Sequence, residues 1–401
     1  MGSVSPNEQS ARIDRVAITL RHGVFMAPFH AMNKDPTLAM QRDLELMEWL
    51  DRLGFEEAWI GEHHSAGFET ISSPELFIAA AAERTKRIRL GTGVISLPYH
   101  NPLMVANRII QLDHMTRGRI MFGAGPGLLA SDALMLGIDP LIQRERMVEA
   151  LDVILRLFAG EVVTESTDWY TLVEARVHLL PFTQPRPETV VASALTPSGG
   201  RIAGTYGLGM LCVAIGIVEG VDILKSNWEI ACQTAREHGR EMDRKDLRIL
   251  RPMHIAETRA EAAAQCREGL QSYLDYMNNN SQRYPVPADE DVVDWWNRNR
   301  HGVIGTPDDA IAAIQEIYDT QGEFGCVLNL PNNIADWPQT KRSFELYANH
   351  VMPHFRGSNA ARIASYNWVT DHHAELGEKR DAAIQREVAK HQAEEATKAA
   401  E

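Results

Sequence analysis

Two adjacent histidines, His63 and His64, follow an acidic residue, Glu62, just past a short apolar run, Glu57–Ile60. An imidazole titrates near neutrality, so a histidine placed there can give or take a proton at a reacting centre. Neighbouring residues at a strand end point to opposite sides, so one of the two can face a ligand. His63 is read as the catalytic one, with a structural hydrogen-bonding role as the alternative. A metal site needs at least three convergent ligands. Glu62, His100 and His254 are candidates, but the chain has no HxH or HExxH pattern, so no metal is expected.

A second group is Thr196-Pro197-Ser198-Gly199-Gly200-Arg201. Ser198 is a candidate N-cap. Gly199 and Gly200 would allow backbone N–H groups to come close to an anion. A helix N-terminus stabilises a phosphate through its unpaired donors and its dipole. From this segment alone, a phosphate site and an ordinary capped helix are equally supported. Arg144, at the start of another helix, could add a charge-assisted bond, although a surface ion pair is the simpler reading. In Leu90-Gly91-Thr92-Gly93-Val94, glycine inside a strand points to a bulge or a close contact, and tight packing is the default. Gly123-Ala124-Gly125-Pro126-Gly127 lacks the Lys-Ser/Thr of a phosphate loop and reads as a tight turn.

The elements that must position these groups alternate along the chain. Strands are expected at Val16–Val24, Glu57–Ile60, Ile88–Val94, Ile120–Gly123, Thr189–Ser193, Leu208–Val213, Leu247–Ile255 and Gly325–Leu330. Each is followed by a helical pattern: Thr37–Leu53, Pro74–Thr85, Pro102–Met115, Gln143–Phe158, Gly199–Tyr206, Val221–His238, Arg259–Met277 and Thr340–Val351, with a further helix at Pro307–Tyr318 before the last strand. Eight such units predict a (β/α)8 TIM barrel with insertions, over 16–355. An open doubly wound sheet is the runner-up, but GVFMAPFH after the first strand has no GxGxxG. Residues 161–187 look like an inserted hairpin and 278–304 like a possible lid. Residues 1–15 form an N-terminal tail and 356–401 a charged helical C-terminal tail.

Barrel sites form at the C-terminal ends of the strands. Phe25, Met26, Phe29 and Tyr99 lie there and would line an apolar substrate pocket. Of 401 residues, 40 are Lys or Arg and 54 Asp or Glu, for a net charge of −14. An acidic chain without a basic run has no phosphate-backbone footprint, so nucleic acid is not expected as a partner. No apolar stretch of about 20 residues predicts a membrane span. The start lacks the apolar core of a secretory signal. Four scattered cysteines argue against a disulfide framework, and a cytoplasmic location is expected. A homo-oligomer, dimer or tetramer, is also expected.

The segments FEEAWIGEHH, RIRLGTGVISLPYHNPLMVANRIIQLDHMTRGRIMFGAGPG, QRERMVEALDVIL, VVASALTPSGGRIAGTYGLGM and GTPDDAIAAIQEI together resemble the flavin-dependent bacterial luciferase-like monooxygenase family, over about residues 16–355. The resemblance implies a luciferase-like barrel that uses reduced FMN, made by a separate NAD(P)H flavin reductase, to activate O2. It implies insertion of one oxygen atom into a small hydrophobic substrate, with epoxidation of a terpene alkene as the main reading. Baeyer–Villiger oxidation of a ketone and a flavin- or deazaflavin-dependent dehydrogenase are the alternatives. By position it assigns His63 to the active site and Gly93 and Val94 to the bulge under the flavin ring. It also assigns Arg144, Thr196, Ser198, Gly199 and Gly200 to the phosphate. Luciferases have Cys-Arg where this chain has Gly125-Pro126, and a Glu where it has Leu195, so aldehyde luminescence is not implied.

Overall fold

The computed structural model describes residues 19–27, 29–213, 217–218, 221–280, 284–331 and 333–400. The expected N-terminal tail and the first residues of the expected first strand lie outside them. Eight strands form the core: β1 Arg21–Met26, β2 Glu57–Ile60, β3 Arg89–Thr92, β4 Ile120–Gly125, β5 Glu188–Ser193, β6 Gly209–Cys212, β7 Leu247–Leu250 and β8 Cys326–Asn329. Each pairs in parallel with the next, and β8 returns to β1 with Arg21 opposite Cys326 and Val24 opposite Asn329. The sheet is therefore a closed eight-stranded parallel barrel with helices between the strands. Every residue of β2, β4, β6, β7 and β8 is buried, as expected of strands covered on both faces.

The helices start where local sequence can satisfy their first N–H groups. Asp35 caps Pro36–Leu53 through Leu38 N, and Asn101 caps Pro102–Thr116 through Leu103 and Met104 N. Thr306 and Asp309 form a reciprocal capping box at Pro307–Gln321. Two sequence expectations change. Leu247–Ile255 is not one strand: Arg251 and Pro252 interrupt it, and Met253–Ile255 leaves the barrel to pair with Val303–Gly305. Pro has no N–H to give a ladder, which favours the break there. The last helix begins earlier, at Trp337, and ends at Leu346 in a π-turn over Tyr347–Val351.

Within 161–187, Val163–Ser166 and Thr171–Ala175 pair antiparallel. Within 278–304, the helix Val292–Arg298 buries Trp295 and Trp296. Residues 353–401 form a second compact unit whose helices, Ala360–Asp371 and His373–Ala400, bury no residue of the first of these two. Among the described residues no helix is long and apolar enough to cross a membrane.

The barrel interior is layered. At the N-terminal ends of the strands, Glu57 is fully buried between Arg248 and Arg21. Above this layer Trp59, Met121, Val190, Leu211, Leu250 and Leu328 pack together, with Phe25, Val213 and Leu330 joining from the open end. Trp59 explains the glycine of β3 and the one just past it. A Cβ at Gly91 would lie 2.5 Å from the Trp59 ring, and one at Gly93 would lie 2.8 Å from Trp59 Cβ. Gly91→Ala should therefore overpack the centre and cost about 1–3 kcal/mol, read as a lower denaturant midpoint at unchanged slope.

Candidate active site

The C-terminal ends of β2, β3 and β4 gather a set of paired acids and imidazoles. His63 leaves β2 with its backbone N–H donated to Ile71 O at 3.1 Å. Its Nδ1 lies 3.3 Å from Asp132 Oδ2, and its Nε2 lies 3.0 Å from Glu69 Oε2. Asp132 sits on the short helix Ala130–Met135 that follows β4. Its other oxygen accepts from His64 N and Ser65 Oγ. Burial works against a charged His63, but Asp132 and Glu69 outweigh it and raise the imidazole to about 10. Burial likewise opposes a charged Asp132, and the donors around it hold its carboxyl below the usual range. His63 therefore rests as an imidazolium between two carboxylates.

A second group lies beside it. Buried Glu62 Oε1 accepts from His64 Nε2 and His100 Nε2, each at 2.8 Å, and Oε2 accepts from Ser96 N. Desolvation would raise this acid, but those donors pull it down to about 2. The three side chains come close enough to share a cation. Arg108 donates to His100 Nδ1 at 3.5 Å, which leaves the proton on Nε2 and makes the contact to Glu62 a hydrogen bond.

The apolar candidates divide by strand parity. Gly23 faces Leu328 in the interior, so Phe25 faces inward and packs with the interior cluster. Met26, the next residue, is buried on the opposite side of β1 and does not line the opening. Phe29 is buried in an aromatic group, stacked on Phe68 at 4.4 Å and edge-on to Tyr273 at 5.3 Å. Tyr276, on the same helix as Tyr273, lies 3.9 Å from Phe68, and burial beside Glu69 and Asp132 pushes its phenol up to about 12. Tyr99 is edge-on to His64 and accepts a bond from Gln143 Nε2 at 2.8 Å. The Gly93–Val94 peptide is cis, and Gly93 N donates to Ile60 O at 2.6 Å.

The helix Ser198–Tyr206 begins without a side-chain cap, and Thr196 Oγ1 lies 2.8 Å from Ser198 Oγ. Its first N–H groups therefore have no capping side chain. Gly199 and Gly200 meet a packing need. A Cβ at Gly199 would lie 2.5 Å from Ala192 O, and one at Gly200 would lie 2.4 Å from Asn227 O. They let this helix press onto β5 and onto Ile223–Glu237.

Tyr206 OH bonds Asp152 Oδ1 at 3.3 Å, which ties this helix to Gln143–Phe158. On that helix Arg144 is exposed, whereas Arg146 is half-buried. Arg146 pairs with Asp168 at 2.9 Å and lies over Trp169, and its buried Nε has no hydrogen-bond partner among the described residues. It lines a groove of about 290 Å³ with Tyr99, His100, Ile138, Trp169 and Tyr170.

Asp132, Glu69, Gln143 and Arg146 did not stand out in the sequence. Arg146 could have been found, because it lies three residues after buried Gln143 and next to buried Met147 on the inward stripe of an amphipathic helix. Asp132 and Glu69 meet His63 only through tertiary folding.

A family model described as luciferase-like monooxygenase matches residues 20–323. The chain is 46% identical over 346 residues to limonene 1,2-monooxygenase of Rhodococcus erythropolis, covering 86% of this chain and 89% of that protein. It is 45% identical over 362 residues to 4-hydroxyprotoasukamycin monooxygenase of Streptomyces nodosus subsp. asukaensis, covering 87% of this chain and 96% of that one. Among solved structures, the oxygenating constituent of 3,6-diketocamphane monooxygenase from Pseudomonas putida, in complex with FMN, aligns with a TM-score of 0.70 at 23% identity, over 84% of this chain and 98% of that one. The chain is a monooxygenase that belongs to the luciferase-like family.

Proposed function

We propose that this chain is the oxygenase component of a two-component system. It takes reduced FMN from a separate NAD(P)H flavin reductase and places one atom of O2 on a small hydrophobic substrate, epoxidising a terpene alkene such as limonene. The observation that carries this reading is half-buried His63 just past the C-terminal end of β2, its Nδ1 3.3 Å from Asp132 Oδ2 and its Nε2 3.0 Å from Glu69 Oε2. The similarity to a limonene monooxygenase over most of the chain supports the substrate class.

The residues present suit FMN. Arg146, whose buried Nε–H has no partner among the described residues, and the uncapped start of Ser198–Tyr206 would each offer donors to a phosphate. Thr196, Ser198 and the backbone of Gly199 and Gly200 would complete it. Gly93 and Val94 would underlie the flat ring, and Phe25, Phe29 and Tyr99 would line the substrate side. When bound, reduced FMN supplies the electrons that activate O2. The chain's own part is to hold the substrate in a dry space and to offer a proton from His63 Nε2. Excluding water protects reactive oxygen species from loss.

A protonated His63 favours electrophilic transfer to an alkene over attack of an unprotonated oxygen nucleophile on a ketone. Segment 278–304 is proposed to cover the opening, since Trp296 packs on Tyr273, which in turn meets Phe29. The reading includes a cytoplasmic location, in keeping with four free cysteines, and a homo-oligomer.

The test mixes the protein with enzymatically reduced FMN, O2 and a panel of terpene alkenes and ketones, and identifies products by mass spectrometry. An epoxide carrying one 18O from 18O2 is expected. Lactones from the ketones with no epoxide would favour the Baeyer–Villiger reading, and oxidation without 18O uptake would sink both. Arg146→Ala should weaken FMN binding about 10-fold or more while leaving riboflavin unchanged, because one charge-assisted contact to phosphate is worth about 1.5–3 kcal/mol. Equal losses for both flavins would remove Arg146 from the phosphate site.

A further inference from the structure

His63 is held from two sides by unequal partners. The Asp132 side chain is 2% exposed and that of Glu69 is 22% exposed. Asp132 is fixed by three donors at once: His63 Nδ1, His64 N and Ser65 Oγ. Ser65 Oγ is itself 2.6 Å from Ser131 Oγ, so the loop after β2 and the helix after β4 are clasped around this carboxylate. Glu69 is different. Its Oε2 approaches Nε2 but makes no aligned hydrogen bond among the described residues.

We propose that Asp132 is a positioning residue that fixes His63 as a doubly protonated imidazolium, and that Glu69 is an exchangeable counter-ion which an acceptor in the opening displaces. This rests on the proposed function only for what the acceptor is. The proton balance is simple. Displacement of Glu69 frees the Nε2–H, the proton passes from Nε2 to the acceptor oxygen, and the imidazolium becomes a neutral imidazole with its Nδ1–H still on Asp132.

The other charged or titratable groups near this point come from three elements. Glu62 and His64 lie on the same loop, and His64, itself drawn toward the charged form by Glu62, opposes a second cation at His63. Tyr99 follows β3. Tyr273 and Tyr276 come from Arg259–Asn280, and burial keeps both phenols neutral. The two carboxylates are thus the groups that set the charge of His63, in accord with its position near 10.

The test uses flavin-free full-length protein labelled with 15N-histidine. Long-range 1H–15N spectra report the protonation of each ring nitrogen from pH 5.5 to 10. In the wild type both His63 nitrogens should stay protonated through pH 8. Asp132→Asn should lower the midpoint by about 1–3 units, the range for loss of one close opposite charge. Glu69→Gln should lower it less. A wild-type His63 that is neutral at pH 7 overturns the proposal, and so does an Asp132→Asn midpoint equal to that of the wild type. An equal or larger drop in Glu69→Gln overturns the division of roles. The wild-type titration decides the charge state even if Asp132→Asn fails to fold. Because neither flavin nor substrate is present, a failed oxygenation assay leaves this result standing, and variant midpoints that overturn the division of roles leave the oxygenase reading standing, whereas a neutral wild-type His63 would also remove its proton donor.

Discussion

Replacing Glu57 by glutamine should destabilise the barrel by about 3–5 kcal/mol, the range for removing one partner of a buried ion pair. Its carboxylate accepts from Arg248 Nε and Nη2 at 2.7 and 3.0 Å, from Arg21 Nε at 2.8 Å and from Trp59 Nε1 at 2.9 Å. Glutamine keeps the shape but leaves the fully buried Arg248 with only Glu188 as an oppositely charged partner among the described residues. Burial alone would raise the Glu57 carboxyl, yet the two guanidinium groups pull it down to about 2 from 4.5. A depressed acid stabilises the fold above its unfolded value and loses that contribution as pH falls through its folded value. Wild-type stability attributable to Glu57 should therefore be complete above about pH 4.5 and vanish toward pH 2. Urea unfolding of both proteins at several pH values checks this. A wild-type minus variant difference that does not shrink over that window would show that the charge of Glu57 is not what holds the base of the barrel.

His63→Ala should lower oxygenated product by about 10²–10⁴-fold, the usual contribution of a positioned proton donor. O2 consumption should continue, because the residues assigned to the flavin phosphate are untouched, and the missing product should reappear as free H2O2. The ratio of product to O2 consumed is the informative quantity. A general loss of fold would reduce both, whereas loss of the proton donor separates them. Unchanged coupling would remove His63 from the reaction and leave it as a structural member of the Asp132 cluster.

The barrel was readable because its signals are local. Pro36, Pro74, Pro102 and Pro307 mark first helical turns, and short apolar runs alternate with amphipathic stretches. The break at Arg251-Pro252 was hidden because Leu247–Ile255 is apolar enough to read as one strand, while the pairing with Val303–Gly305 is non-local. For the site, strand ends pointed to His63 and Tyr99, but pleat parity was needed to turn Met26 away from the opening. Arg144 and Arg146 lie two positions apart, and only the buried stripe through Gln143 and Met147 says which one faces inward. Asp132 is 69 residues from His63 in the chain, and no pattern in ASDALM announces the contact.

Trp59 also limits how this chain can vary. Its Nε1 is bonded to the charged base at Glu57, the Arg248 guanidinium lies 5.0 Å from its ring centre, and its edge abuts Gly91. One indole thus acts as a spacer of fixed length between the ionic plug and the floor of the opening. Alanine at Gly91 becomes sterically admissible only with a smaller residue at position 59, and that residue would strip a donor from Glu57. Libraries that reshape the floor should therefore vary positions 57, 59, 91 and 248 together, since single steps among them pass through overpacked or uncompensated intermediates.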